Sequence, residues 1–137
     1  MRFFSLLACM ALLLGCSSGA VYKEAPSQAF KPQKVVQLRG NVSPVDLYFT
    51  AVTLFAKDKT RVIVLGDMGI KLLDFQVTPK GKAEIYYKMP RIPDYFAQAF
   101  TRMAKSELLT EPARRVVYKD AQTRLVFEAE RGDDAHD

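Results

Sequence analysis

The chain has 137 residues, a formal net charge of +5, two cysteines and one histidine. This length is typical of a single domain. The basic residues are scattered along the chain, so we interpret them as a solvated surface. A patch facing anionic headgroups or lipopolysaccharide is the alternative.

The amino-terminal segment has the pattern of an export signal. Arg2 precedes an apolar run over residues 3–14 that is broken only by Ser5. A charged residue followed by such a run is typical of a secretory signal. The run is also too short for a membrane-spanning helix, which needs roughly 20 apolar residues.

The next feature, Leu13–Cys16, resembles a bacterial lipobox, in which the signal is cut before a cysteine that becomes acylated, for example with palmitate. The resemblance implies a signal peptide over residues 1–15 and lipidation of Cys16, with strong membrane binding. In Gram-negative lipoproteins, a residue other than Asp directly after the cysteine favours sorting to the outer membrane. Ser17 therefore implies a protein that is anchored in the outer membrane and faces the periplasm. The cut would also remove Cys9 and leave no disulfide. Export makes a nucleic-acid partner improbable.

Two flanking segments are predicted to lie outside the folded domain. Residues 16–33 contain the lipidated cysteine and a tether rich in Ser, Pro, Ala and Gln. Residues 131–137 are small and acidic, and we predict a disordered tail. The domain itself is therefore predicted over residues 34–130.

Short apolar segments separated by turns predict an antiparallel meander of six or seven strands. The strands are predicted over residues 35–38, ending by Gly40, and over 47–56, 61–65, 70–77, 82–89, 114–119 and 123–129. Strict alternation in residues 82–89 places Ile85 and Tyr87 on the same face. We predict a mainly β, α+β fold in which a curved antiparallel sheet forms a half-barrel.

One amphipathic helix is predicted over residues 93–108. Pro93 suits a first helical position and Asp94 complements the positive end of the helix dipole. Apolar residues including Phe96 and Phe100 recur at spacings of three and four. Such a stripe requires an apolar surface, so we expect this helix to cover the sheet.

The sequence contains little that indicates catalysis. His136, the lone histidine, lies in the acidic tail, where nothing would preorganise a metal site. Asp74 and Glu84 could form a carboxylate pair across neighbouring strands, although polar outer-face positions explain them more simply. A catalytic site needs titratable groups that converge in a cleft. We therefore expect no enzyme, no cofactor and no metal.

The aromatic and aliphatic residues support two interpretations. They form either an ordinary core or a hydrophobic groove that binds an acyl chain between sheet and helix. The predicted groove residues are Phe49, Phe55, Phe75, Ile85, Tyr87, Phe96 and Phe100.

Two segments resemble LolB-type outer-membrane lipoproteins. RVIVLGDMGIKLLDFQVTPKGKAEIYY, residues 61–87, is similar to that family's strand, loop and strand pairs, and MPRIPDYFAQAFTRMAKSELL, residues 89–109, to its helical segment. The family implies a half-barrel around a hydrophobic cavity and a loop residue in contact with the membrane. The corresponding residue in this chain is Met68. Its side chain could contact the membrane, as the resemblance implies, or fold back onto the sheet. The chain departs from the family in having Asp67 in place of the loop proline, a shorter length and no tryptophan.

Together these features give two functional hypotheses. The first is a membrane-anchored lipoprotein that binds or transfers a lipid, a glycolipid or the acyl chain of another lipoprotein in its groove. The second is a non-enzymatic lipoprotein without a ligand cavity that docks on another protein of an envelope complex.

Overall fold

The computed structural model describes residues 32–132, which form seven strands and one α-helix. The strands are β1 Lys34–Ser43, β2 Leu47–Phe55, β3 Thr60–Leu65, β4 Lys71–Val77, β5 Ala83–Lys88, β6 Arg115–Lys119 and β7 Val126–Arg131. The helix, α1, spans Asp94–Glu107, within one residue of the predicted bounds at each end. The mainly β fold with one helix is thus confirmed. The predictions for the export signal, for Cys16, for residues 17–31 of the tether and for residues 133–137 lie outside the described residues.

The strands form one antiparallel sheet in the order β5-β4-β3-β2-β1-β7-β6. Strands β1 to β5 form the predicted meander, and the β6–β7 hairpin then adds to the opposite edge through β7. Helix α1 follows β5 and precedes β6, the two edge strands. The chain must therefore cross the sheet from one edge to the other, which accounts for the position of α1 over one face.

Side chains alternate between two faces of the sheet, as expected for strands. The inner face packs against α1, and a single apolar core lies between them. The strand residues buried there are Val36, Leu38, Val42, Phe49, Ala51, Phe55, Val62, Val64, Leu73, Phe75, Val77, Ile85, Val116, Phe127 and Ala129. The helix contributes Phe96, Ala97, Ala99, Phe100, Met103 and Ala104.

Strand β1 was predicted to end by Gly40, but it continues to Ser43. A Cβ built on Gly40 would lie 2.0 Å from the Glu128 carbonyl oxygen and 2.6 Å from the Cα atom of Ala129. Glycine inside a strand can mark such a close approach of two backbones. Here it permits the contact between β1 and β7 and does not terminate the strand.

A β-bulge in β5 overturns the predicted side-chain alternation in that strand. Phe75 pairs with Ile85, whereas the preceding residue, Asp74, pairs with Tyr87, so that Tyr86 is the extra residue. Because the extra residue shifts the register, Tyr87 lies on the outer face of the sheet, opposite to Ile85. The prediction that Tyr87 lines the groove is therefore wrong.

Both predicted domain boundaries shift slightly. The Gly132 N–H donates to the Gln37 carbonyl oxygen at 2.7 Å, and β7 extends to Arg131. The predicted start of the tail, at residue 131, is therefore too early. At the other boundary, the Gln33 N–H donates to the Phe55 carbonyl oxygen at 2.7 Å. The last residue assigned to the tether therefore already pairs with the sheet.

Candidate functional site

The structure brings together six of the seven predicted groove residues, Phe49, Phe55, Phe75, Ile85, Phe96 and Phe100. Each exposes 8% or less of its surface. Tyr87, on the outer face, is 41% exposed. The six residues belong to the common core between the sheet and α1 and pack within it.

Phe100 is the centre of an aromatic cluster in this core. Its ring lies 5.3 Å from that of Phe49 and 4.8 Å from that of Phe127, both in edge-to-face geometry. The Phe96 ring is also 5.3 Å away. These centroid distances are typical of favourable aromatic pairs. One helical side chain thus contacts rings from β2 and β7 and from its own helix.

Polar contacts fix α1 near both ends. Near the start of α1, the Lys88 Nζ atom of β5 pairs with Asp94 at 3.0 Å. In the second half of α1, Arg102 forms two hydrogen bonds with the buried carboxylate of Asp120. Asp120 also accepts hydrogen bonds from the Thr123 N–H and hydroxyl. The helix that was expected to cover a groove is therefore attached to both edges of the sheet.

The β3–β4 connection holds Met68 away from the rest of the protein. The Gly66 N–H donates to the Ile70 carbonyl oxygen at 2.7 Å and closes the loop. Met68 and Gly69, at the tip, both have positive φ angles, 62° and 74°. Met68 is 98% exposed. Of the two alternatives left open by the sequence, the side chain adopts the exposed one.

Met68 is one of several exposed apolar residues at the same end of the sheet. Antiparallel pairing places the β1–β2 and β3–β4 connections, the end of β5 and the start of α1 together at this end. We define the apolar rim as Val45, Tyr48, Met68, Ile70, Tyr87 and Tyr95, all of which are exposed. The opposite end carries lysine-rich turns, with Lys57 and Lys59 in one and Lys80 and Lys82 in the other. The rim also borders a cation, since the Lys71 Nζ atom lies 5.8 Å from the centre of the Tyr87 ring.

Asp74 forms an ion network on the outer face that sequence analysis did not find. Its carboxylate is buried and accepts hydrogen bonds from Arg61 Nε and Nη2 and from Lys71 Nζ. Burial alone would raise the pKa of Asp74, but the hydrogen bonds from Arg61 and Lys71 outweigh this effect and lower it. The suggested partner, Glu84, instead pairs with Gln76 in the sheet register and contacts Lys82. The lowered pKa keeps the Asp74 carboxylate ionised at neutral pH, and both of its oxygens have cationic partners.

Two clefts of about 360 and 210 Å³ flank the middle of β1 on the outer face. Both are lined by Arg39, Gly40 and Asn41. Tyr48 and Asp67 line the larger cleft, which therefore borders the apolar rim. Of the predicted groove residues, only Phe49 contributes to either of these two clefts.

Within residues 32–132, no helix is long and apolar enough to cross a bilayer. In the same part of the chain, no three His, Cys, Asp or Glu side chains are grouped so that they could hold a metal ion. Comparison of the sequence with protein-family models and with curated proteins, and of the fold with solved structures, gave no match.

Proposed function

We propose that this chain is a membrane-anchored, non-enzymatic lipoprotein domain that docks on another component of the cell envelope. The lipobox ending at Cys16 supports an anchor in the outer membrane, with the domain on the periplasmic side. Residues 17–31 lead from this anchor to the start of β1, which lies at the end of the sheet opposite the apolar rim.

The observation that favours docking over acyl-chain binding is the packing between α1 and the sheet. The Phe100 ring contacts the rings of Phe49, Phe96 and Phe127. An acyl chain could enter this space only after such rings had been displaced, since protein cores are packed as densely as organic crystals. A domain with a filled core interacts through its surface.

Lipid transfer in the manner of LolB-type proteins is the second candidate function. The apolar rim favours it, since Met68 at the tip of a loop suits shallow contact with a bilayer. Tyrosine is also common where proteins meet the membrane–water interface. In this case the sheet would act as a half-barrel, and α1 would have to move to open a groove.

Native mass spectrometry separates these candidates. The probe is a Cys16→Ser chain in which residues 1–15 are replaced by a cleavable export signal without a lipobox; it is purified from the periplasm without detergent and incubated with outer-membrane lipids. Docking predicts the bare protein mass before and after incubation. A stoichiometric adduct of lipid mass, lost on denaturation, would overturn docking in favour of lipid binding. The control is the full chain with residues 1–15 and Cys16, purified in mild detergent, and its covalent lipid should survive denaturation.

A further inference from the structure

Strand β6 leaves one edge of the sheet open. Among the described residues its only neighbour in the sheet is β7. A strand at an edge carries backbone N–H and C=O groups without partners, and these groups can pair with another chain.

The hydrogen bonds to β7 identify the free backbone groups of β6. The Arg131 N–H donates to the Arg114 carbonyl oxygen, and the Asp120 N–H to the Leu125 carbonyl oxygen, both at 2.8 Å. In an antiparallel pair, every second residue forms such bonds with its neighbour. Val116 and Tyr118 therefore face β7. The intervening residues, Arg115, Val117 and Lys119, direct their N–H and C=O groups toward the open edge.

The side chains of these three residues share the outer face and are exposed. Val117 is 46% exposed, between two cations. Arg115 forms a long 3.4 Å ion pair with Glu128, and both side chains are largely in water. Lys119 forms no ion pair within residues 32–132. The open edge thus presents a basic, apolar, basic pattern at alternate positions.

The opposite edge of the sheet is protected. Strand β5 contains the bulge at Tyr86. A bulge twists an edge away and so hinders its pairing with another strand. Strand β6 has an uninterrupted register with β7 and contains no proline.

We propose that β6 binds an extended acidic segment of a partner protein, which adds to the sheet as an eighth strand. Residues directly opposite each other on neighbouring strands interact, and opposite charges stabilise the pair. The partner should therefore have acidic side chains opposite Arg115 and Lys119 and an apolar one opposite Val117. A second copy of β6 fits poorly, because antiparallel pairing centred on Val117 would place Arg115 opposite Lys119. This inference rests on the proposed docking function and specifies its partner.

Amide hydrogen exchange of the full chain in mild detergent, measured by NMR, tests this proposal. The probe is a short peptide in which Glu, Val and Glu occupy alternate positions, separated by Thr. Without peptide, Val116 and Tyr118 should exchange slowly, and Arg115, Val117 and Lys119 fast. At saturating peptide, exchange at the latter three should slow by at least about tenfold. A peptide with Lys in place of Glu is the control and should leave exchange unchanged.

Two variants locate the interaction. Arg115→Glu/Lys119→Glu should weaken binding of the acidic peptide about tenfold and gain binding of the Lys peptide. Lys57→Glu/Lys80→Glu, in the distant exposed turns, makes the same change in net charge and should leave both affinities unaltered. Val117→Pro removes one outward N–H group without breaking a bond to β7, and it should also abolish binding.

Two results would overturn the proposal. One is unchanged exchange at Arg115, Val117 and Lys119 with the acidic peptide at millimolar concentration. The other is slow exchange of the same three amides in the chain without peptide, which would mean that flanking residues of the chain itself already pair with β6. If either result is obtained and native mass spectrometry shows no lipid adduct, the docking function stands but must use a surface other than β6. A lipid adduct in that experiment would instead reject the docking function itself.

Discussion

Arg102 of α1 and Asp120, the residue directly after β6, form a bidentate ion pair between the helix and the sheet. Arg102 Nε lies 2.8 Å from Asp120 Oδ1, and Arg102 Nη2 lies 2.9 Å from Oδ2. The Asp120 carboxylate is buried, whereas Arg102 is one-quarter exposed. Bidentate pairs of this kind fix orientation as well as distance. The contact therefore determines how the second half of α1 lies on the core.

Replacement of Arg102 should destabilise the protein because it leaves a buried carboxylate without its main partner. We expect Arg102→Met to lower the free energy of unfolding by about 2–3 kcal/mol, the upper range for hydrogen bonds to charged groups. Arg102→Lys keeps the charge but loses the planar fork, so its effect should be smaller. Urea denaturation followed by circular dichroism measures both. Equal stability of all three proteins would contradict a stabilising role for this pair.

The same pair predicts how stability depends on pH. Hydrogen bonds from Arg102, followed by those from Thr123, hold the pKa of Asp120 well below its usual range despite its burial. A carboxyl whose pKa is lower in the folded state contributes stability above its unfolded pKa, about 3.9. That contribution is lost as the pH falls through the folded value. Between pH 5 and pH 2 the free energy of unfolding should therefore decline less in Asp120→Asn than in the wild type. Parallel curves would show that Asp120 does not contribute to the acid sensitivity.

Gly40 should not tolerate a side chain. A Cβ atom there would lie 2.0 Å from the Glu128 carbonyl oxygen, and the obstacle is backbone that cannot rotate away. We expect Gly40→Ala to separate β1 from β7 and to lower the free energy of unfolding by about 3 kcal/mol or more, since severe effects arise where packing leaves no space. Gly132→Ala is the control, because its Cβ would meet Gln37 at an ordinary 3.6 Å. Thermal melting should show a large decrease in Tm only for the first variant.

Met68 tests whether the apolar rim contacts a membrane. The side chain is almost fully exposed, so Met68→Asp should leave the free energy of unfolding within about 0.5 kcal/mol of the wild type. If the rim enters a bilayer, the charge should reduce co-sedimentation with liposomes of outer-membrane lipids severalfold. Met68→Leu keeps the apolar character and should bind as the wild type does. Equal co-sedimentation of all three proteins would exclude Met68 from membrane contact.

Local patterns in the sequence predicted most of the secondary structure. The bounds of α1 follow from Pro93 at its start and from apolar spacings of three and four, both of which act within a few residues. The strand predicted over residues 70–77 also corresponds closely to β4, Lys71–Val77. The exposed tip at Met68 was one of two alternatives, and the sequence did not distinguish between them.

The features that could not be predicted depend on contacts between distant parts of the chain. Gly40 resembles a strand terminator until β7 is placed beside it. The register of β5 changes at Tyr86 because of its pairing with β4, and so Tyr87 was assigned to the wrong face. Asp74 resembled a solvated carboxylate because its partner, Arg61, lies on the neighbouring strand. A hydrophobic groove and a filled core also have the same apolar pattern, and the ring contacts of Phe100 that favour a filled core join residues that are distant in the sequence.

The difference between the two sheet edges limits the assemblies that this domain can form. Because β5 is bulged and β6 is not, β6 is the edge of the sheet within residues 32–132 that favours the addition of a strand. A sheet with two open edges could polymerise into fibres through repeated head-to-tail contacts. With one open edge, association ends after the first partner has bound. Complexes formed through this sheet should therefore have a fixed stoichiometry of one partner strand per copy.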